Sequence, residues 1–318
     1  MTTAWVAGGS GLLGSALRRT IARREGWNAI AAAGLPWDAD DPTFEAAVRD
    51  RAKRLALVAD RTGWAVIWAA GTAVPASTDA DAAHELARTR LALDAIADEL
   101  SGVPHGALFL ASSAGGVYAG SSQPPFSEST EPVPTSAYGR LKLAIEDAVR
   151  ETAERIGVPA VIGRIANLYG PGQDLSKPQG IISHLGLARF TPRMAQLYVP
   201  LDTLRDYLHA DDAAETVLDC LELAAQHGGV TTKIIASGTA TTISTLLTTM
   251  RRVTHEKPRA VLGASPLAAR QPLDLRLRSE VWTELDRRPR RGIAEGIASA
   301  ASGVLFAVQA GELSRVAP

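Results

Sequence analysis

The sequence predicts a doubly wound α/β fold, a parallel sheet covered by helices on both faces, with a smaller lobe built onto it. Three observations carry this prediction. Short apolar runs alternate with helical patterns as far as about Ala166, the order that builds a parallel sheet. The first of these runs leads without a break into a glycine-rich turn, Ala7-Gly8-Gly9-Ser10-Gly11-Leu12-Leu13-Gly14. From Gly170 the texture changes to glycine, proline and loops, which places a lobe of different construction behind the sheet.

Taken in order, Thr2 to Ala7 reads as a strand, because it is a short apolar run ended by glycine. Ser15 to Arg24 continues out of the glycines as a helix. Further strands are expected at Asn28 to Ala33, Ala65 to Ala69, Gly106 to Ala111 and Ala160 to Ile165. About Asp81 to Leu100 is helical, with Leu86, Leu93 and Ile96 at helical spacing. The helix before Ala160 has the clearest limits. Thr135 or Ser136 can cap its start, Leu141, Ile145, Ala148 and Val149 form an apolar stripe, and Gly157-Val158-Pro159 stops it. Lys233 to Ser237 reads as a late strand returning to the sheet. The chain thus divides into residues 1–168, with the strand near 233–237 added back, and a lobe over 169–318 that is interleaved with the sheet rather than separable from it.

Composition sets limits. The 318 residues carry a net charge of −1 with 21% charged side chains, which suits a soluble globular protein and gives no reason to expect a nucleic-acid or anionic-membrane partner. The single cysteine, Cys220, excludes an internal disulfide framework and points to a reducing cytoplasm. The first strand begins at once, leaving no room for a signal peptide. Ile293 to Ala310 is apolar but interrupted by Glu295 and Gln309, so it reads as a packed helix rather than a membrane span. Arg287-Arg288-Pro289-Arg290-Arg291 lacks interleaved aromatics and reads as a solvated turn. The six histidines show no H-x-H or H-E-x-x-H spacing, so no metal site is expected, and no G-x-S-x-G elbow is present.

Two motifs carry chemistry. The glycine turn sits between a strand and a helix and matches G-x-G-x-x-G at Gly9, Gly11 and Gly14, and G-x-x-G-x-x-G at Gly8, Gly11 and Gly14. Glycines there let backbone N–H groups and the positive end of the helix approach a pyrophosphate. The second motif is Tyr138 with Lys142. Of the five tyrosines only Tyr138 has a lysine four residues on. On a helix that spacing puts phenol and ammonium on one face, one turn of about 5.4 Å apart. A free phenol titrates at about 10, so it is a poor base at neutral pH unless fixed positive charge stands beside it.

These residues resemble the extended short-chain dehydrogenase/reductase family, which includes nucleotide-sugar epimerases and dehydratases. Ala7 to Gly14 is similar to the family's T-G-G-x-G-F-I-G loop, with Ala7 in place of Thr, and Val66 to Gly71 to its fourth strand. Leu110 to Gly120 resembles the S-S-x-x-V-Y-G segment, and Glu128 to Lys142 the E-x-x-x-x-x-P-x-x-x-Y-x-x-x-K segment. Arg164 to Gly172 is similar to R-x-x-N-V-Y-G-P-G, Arg205 to Asp212 to R-D-Y-I-H-V-x-D, and Pro289 to Ile297 to the closing P-x-x-x-x-x-E-G-I.

The resemblance implies a Rossmann sheet that binds NAD through Gly8, Gly11, Leu12, Leu13 and Gly14 and through Ala69, Ala70 and Gly71, with Tyr138 and Lys142 catalytic. Asp38, in Trp37-Asp38, aligns with an aspartate near the adenine. The acid expected about 20 residues after the glycines is missing, because Ala29 to Leu35 carries no charge. Trp27 to Val48 also contains no Lys or Arg, which favours NAD over NADP without settling the choice. Alignment on Val117-Tyr118 puts Ala114 where the family has a catalytic Ser or Thr. Ser113 is the first replacement and Ser112 the second.

For substrate, the resemblance implies a nucleotide-diphosphate sugar held by Asn167, Gln179, Gly180, Arg205 and Arg270. Arg suits a pyrophosphate because its planar fork binds oxygens in pairs. It also implies a homodimer through the Tyr138 helix and the helix from about Asp81. The family's dehydratases carry acids after the Ser/Thr, and Ala114-Gly115-Gly116 supply none. The expected activity is therefore an NAD-dependent 4-epimerase. The alternatives are an NAD(P)H-dependent 4-ketoreductase and a non-catalytic dinucleotide sensor.

Overall fold

The structure, a computed structural model, describes residues 1–59, 63–177, 179–263, 271–288 and 290–311. In chain order it begins β1 (Thr2–Ala7), α1 (Leu12–Ile21), β2 (Trp27–Ala29), α2 (Asp41–Ala59), β3 (Gly63–Trp68), α3 (Asp79–Leu100), β4 (Gly106–Ser113), the one-turn α4 (Ala114–Val117), α5 (Ala137–Ile156) and β5 (Ala160–Ile165). It continues with β6 (Asn167–Tyr169), α6 (Ile181–Phe190), β7 (Ala195–Leu197), β8 (Leu204–His209), α7 (Ala210–His227), β9 (Val230–Ile235), β10 (Ala240–Thr242), α8 (Ile243–Thr254), β11 (Ala260–Leu262), β12 (Asp274–Leu275) and α9 (Ile293–Gln309).

The main sheet has six parallel strands in the order β2-β1-β3-β4-β5-β9. Its inner strands β1, β3, β4 and β5 are buried on both faces, so the side-chain alternation sorts residues between two apolar layers rather than between core and water. Ala4, Val6, Ala65, Ile67 and Phe109 meet Leu13 and Leu17 of α1 and Val217 and Leu221 of α7. Trp5, Trp64, Val66, Leu108 and Ile162 meet Phe44 and Leu55 of α2, Ile96 of α3 and Leu141, Ile145 and Val149 of α5. The late strand read at Lys233 to Ser237 is β9, set a few residues earlier.

One strand is shorter than expected. Asn28 to Ala33 was expected to be extended throughout, but β2 stops at Ala29 and residues 30–40 run irregularly into α2. Ile30 N still donates to Ala4 O at 2.9 Å, after which Ala31, Ala32 and Ala33 are exposed. No described strand lies outside β2 to pair with them, and alanine has little strand preference of its own. Helix α1 begins at Leu12 rather than Ser15, because Gly11 takes the N-cap position.

Two other expectations change. Leu93 and Ile96 are buried in the chain's own core and Leu86 packs against it, so that stripe faces the sheet, not a partner. The exposed positions on α3 and α5 are small or charged, among them Ala83, Ala87, Arg90, Asp147 and Glu151. The arginine run is not simply solvated. Arg288 pairs with Glu215 and Asp219 of α7, Arg290 with Asp286, and Arg291 with Asp212, while Pro289 lies outside the described residues.

In the lobe, β8 is flanked by β10 and β12 and also pairs with β6. Tyr169, Ile182, Leu185, Leu246, Met250 and Ile297 form a separate apolar cluster there. Helix α9 packs through Ile297, Ala300 and Val304, and no helix among the described residues is long and apolar enough to cross a membrane.

Candidate active site

The glycine turn stands where the strand order reverses, between β1 and β3. Gly8 has a φ of 81°, and a Cβ there would lie 2.5 Å from Ala69 O, while one at Gly14 would lie 2.1 Å from Gly8 O. Both positions therefore require glycine, and the close approach brings residues 8–14 against Ala69 and Ala70. Gly11 N donates to Gly8 O at 3.0 Å, closing the turn. No side chain caps α1, so its first N–H groups point into the crevice unclaimed. The cradle fits a dinucleotide pyrophosphate: close-packed glycine behind, backbone donors in front.

Asp38 is exposed on the loop before α2. That loop is fastened by Arg88, buried on α3, which donates to Trp37 O, Ala39 O and Asp41 Oδ1. Trp37 packs edge-on to Trp68 with ring centres 6.3 Å apart, and Trp68 is the last residue of β3 before Ala69. Asp38 is thus held beside the strand end that borders the glycine turn. Arg51 reaches the loop from α2, beyond the cation-free stretch Trp27 to Val48, but its guanidinium is bound to Ala33 O and Gly34 O.

Across the crevice, Ser136 Oγ caps α5 by accepting from Gly139 N at 3.1 Å, which sets Tyr138 and Lys142 in the first turns. Lys142 Nζ lies 5.3 Å from the Tyr138 ring centre. Gly116 stands between this pair and Ser113. A Cβ on Gly116 would lie 2.9 Å from Tyr138 Cε1 and 3.4 Å from Ser113 Oγ. Ser113 Oγ accepts from Gly116 N at 3.1 Å, which leaves its O–H to donate outward.

Ser112 is a different matter. Neighbours on a strand face opposite ways, and Ser112 is buried on the other side, donating to Glu146 Oε1 at 2.6 Å. It belongs to a structural network and is not available as the second-choice catalytic serine. In that network Arg164 Nε and Nη2 grip Glu146 at 3.1 and 2.8 Å, and Arg164 Nη1 donates to Tyr118 Oη at 2.8 Å. Burial pulls the Arg164 pKa down, and the bonds to Glu146 more than offset it, leaving a net rise.

Arg205 lies on β8, buried, donating to Leu204 O at 2.8 Å and Gln271 Oε1 at 3.4 Å. It makes no ion pair among the described residues, and burial lowers its pKa. Its β12 neighbour Leu275 lies 3.8 Å from a Cβ built on Gly115, so β8 and α4 share a border. Asn167 is exposed and its amide donates to Asp206 O at 3.0 Å. Gln179 is exposed and Gly180 caps α6. Arg270 lies outside the described residues. His209 packs in the lobe against Tyr169, ring centres 5.5 Å apart.

One residue of the site escaped the sequence reading. Glu85 of α3 is buried and accepts from Thr72 N and Ala73 N, both at 2.6 Å, and from Lys142 Nζ at 3.4 Å. Its signal was an acid on the buried face of a helix, in register with Ala82, Thr89, Ala92 and Ile96.

A six-stranded parallel sheet with a glycine cradle at its switch point is the frame of a dinucleotide-binding protein. A family model matches residues 4–232, that of the NAD dependent epimerase/dehydratase family, and the chain belongs to this family. It is thus an enzyme of the extended short-chain dehydrogenase/reductase type, and NAD is its family's cofactor.

Among curated relatives, it is 34% identical over 121 residues to a dTDP-L-rhamnose 4-epimerase of Burkholderia thailandensis, covering 38% of this chain and 33% of that one. It is 30% identical over 156 residues to a dTDP-4-dehydro-6-deoxyglucose reductase of Escherichia coli, covering 49% and 48%. The matches therefore span a third to a half of those relatives. A UDP-glucose 4-epimerase of Thermotoga maritima, solved with UDP-glucose, superposes with a TM-score of 0.77 over 97% of this chain and 100% of the other, at 19% identity. That likeness concerns the fold.

Proposed function

We propose that the protein is an NAD-dependent 4-epimerase of a nucleotide-diphosphate hexose. The observation that supports it best is that Tyr138 and Ser113 both pack on Gly116, with Lys142 Nζ 5.3 Å from the Tyr138 ring centre. When bound, NAD supplies a hydride acceptor that can later return the hydride. Tyr138 moves the proton at the reacting hydroxyl, and Lys142 keeps positive charge beside the phenol and binds the cofactor ribose. Ser113 donates its O–H to the reacting oxygen. Gly8, Gly11, Leu12, Leu13, Gly14, Ala69, Ala70, Gly71 and Asp38 line the cofactor crevice. Arg205 grips the pyrophosphate, and Asn167, Gln179 and Gly180 contact the nucleotide sugar. The absence of acids in Ala114-Gly115-Gly116 argues against a dehydratase.

A 4-deuterated UDP- or dTDP-hexose separates this from its rival. An epimerase converts it to the epimer with deuterium still at C4 and no net NADH. The rival is a 4-ketoreductase, supported by the reductase relative matched over 156 residues. If no hexose epimerises while a 4-keto sugar is reduced with stoichiometric loss of NADPH, the reductase reading replaces ours. We also propose a homodimer through the exposed faces of α3 and α5. Light scattering at micromolar concentration should give twice the 33.4 kDa chain mass.

A further inference from the structure

We propose that Glu85 is a positioning residue that ties the ammonium of Lys142 to the crevice wall and sets the balance between oxidised and reduced cofactor. The inference rests on the dinucleotide part of the reading above. Both carboxylate oxygens are in use. Oε2 accepts from Thr72 N and Ala73 N, and Oε1 faces Lys142 Nζ at 3.4 Å. A Cβ on Gly71 would lie 2.6 Å from Oε1, so the carboxylate presses directly against the chain that follows Ala69 and Ala70. The two N–H groups alone could be satisfied by a neutral amide oxygen. An amide would then turn its NH₂ toward Lys142, donor against donor. Only a carboxylate serves both sides, and burying one without a cation is costly.

The pair is also loose. An ammonium has three donors, and Glu85 takes one of them at long range. Lys142 is thus anchored yet keeps donors for a ligand, while Glu85 cancels its charge in the crevice. That cancellation matters because an oxidised nicotinamide ring is positive and a reduced one is neutral. Without Glu85, the uncompensated charge of Lys142 disfavours NAD⁺ and leaves NADH little affected.

The test is binding of NAD⁺ and NADH to the purified full chain, by NADH fluorescence and competition. Glu85→Gln should weaken NAD⁺ about tenfold, as expected for losing one nearby charge at intermediate dielectric. NADH should change less than about threefold, so the bound couple becomes more oxidising. Lys142→Met should shift the ratio the other way, toward NAD⁺. In the double variant the two opposite shifts should cancel and return the NAD⁺/NADH ratio toward wild type, whereas damage to the 71–73 loop would weaken both forms alike. Equal weakening of both forms by Glu85→Gln, or a double variant that keeps the selective loss of NAD⁺, overturns the proposal. If Glu85→Gln does not fold, Lys142→Met alone decides, and an unchanged ratio there overturns it. No sugar is needed, so these titrations judge Glu85 even if no hexose is epimerised. A wild-type chain that binds neither form overturns this inference together with the reading beneath it.

Discussion

Helix α5 carries two buried ion pairs one turn apart, and they are built differently. Glu146 receives Arg164 through two nitrogens, Ser112 at 2.6 Å and Arg150 at 3.4 Å, and Arg164 goes on to Tyr118, whose hydroxyl donates to Ser127 O at 2.8 Å. Among the described residues Lys142 makes one ion pair, with Glu85 at 3.4 Å. A network in which both carboxylate oxygens and all three guanidinium nitrogens are engaged rigidifies its surroundings and has little left for a ligand. A pair with donors to spare is stable enough to be placed and open enough to react. The difference separates the clamp that docks α5 on β4 and β5 from the residues that face the crevice, although they alternate along a single helix.

The largest expected effect is on the saturated side. Glu146→Ala strands a buried guanidinium and should cost about 3–5 kcal/mol in urea unfolding, whereas Lys142→Met should cost less, because Glu85 keeps Thr72 N and Ala73 N as donors. Equal losses in the two variants mean the contrast is mistaken. Next, Tyr138→Phe should keep its unfolding curve and lose about 10²-fold or more in turnover. A near wild-type rate removes Tyr138 from the chemistry.

The two serines divide in the same way. Ser113→Ala should lower turnover roughly tenfold, the worth of one hydrogen bond, and cost about 1 kcal/mol of stability because Gly116 N loses its acceptor. Ser112→Ala should leave turnover almost intact and cost about 1–3 kcal/mol, because Glu146 loses a donor. A reversal of these phenotypes would exchange their roles.

The smallest effect lies in the lobe. Burial pushes the His209 imidazole below its usual value, with Asp211 opposing and Arg291 adding to the shift. As pH falls through about 6.5 the unfolded chain takes up a proton that the native one refuses. Stability is therefore full above that pH and falls below it, until the native imidazole is protonated as well. His209→Gln should flatten that limb, and parallel curves for the two proteins would assign the loss elsewhere.

The Tyr138–Lys142 pair and the glycine turn were legible as geometry because each is local: one helix turn in the first case, one strand-to-helix junction in the second. The order of elements along the sheet was legible for the same reason, since alternation is written along the chain. What was not legible came from distant segments. Ser112 and Ser113 are chemically alike, and only the direction in which β4 enters the sheet tells them apart. Glu85 reads as one more acid on a charged helix until Lys142, 57 residues later, is packed against it. The stripe at Leu86, Leu93 and Ile96 had the right period, but period does not say which surface it covers. Likewise the end of β2 depended on whether another strand lay beyond it.

The last strand of the sheet has a consequence for how the molecule is made. Strand β5 ends at Ile165, and its outer neighbour β9 begins only at Val230, after much of the lobe has passed. Until that segment is synthesised, β5 presents a bare row of amides and carbonyls to any strand that comes near. Closure also waits on a long loop, which slows pairing between segments so far apart. Lys233, completely enclosed on β9, must at the same moment find Asp286 at 2.8 Å, still further along the chain. Sheet and lobe are thus expected to fold as one late, cooperative event, with the nascent protein most prone to aggregate just before it.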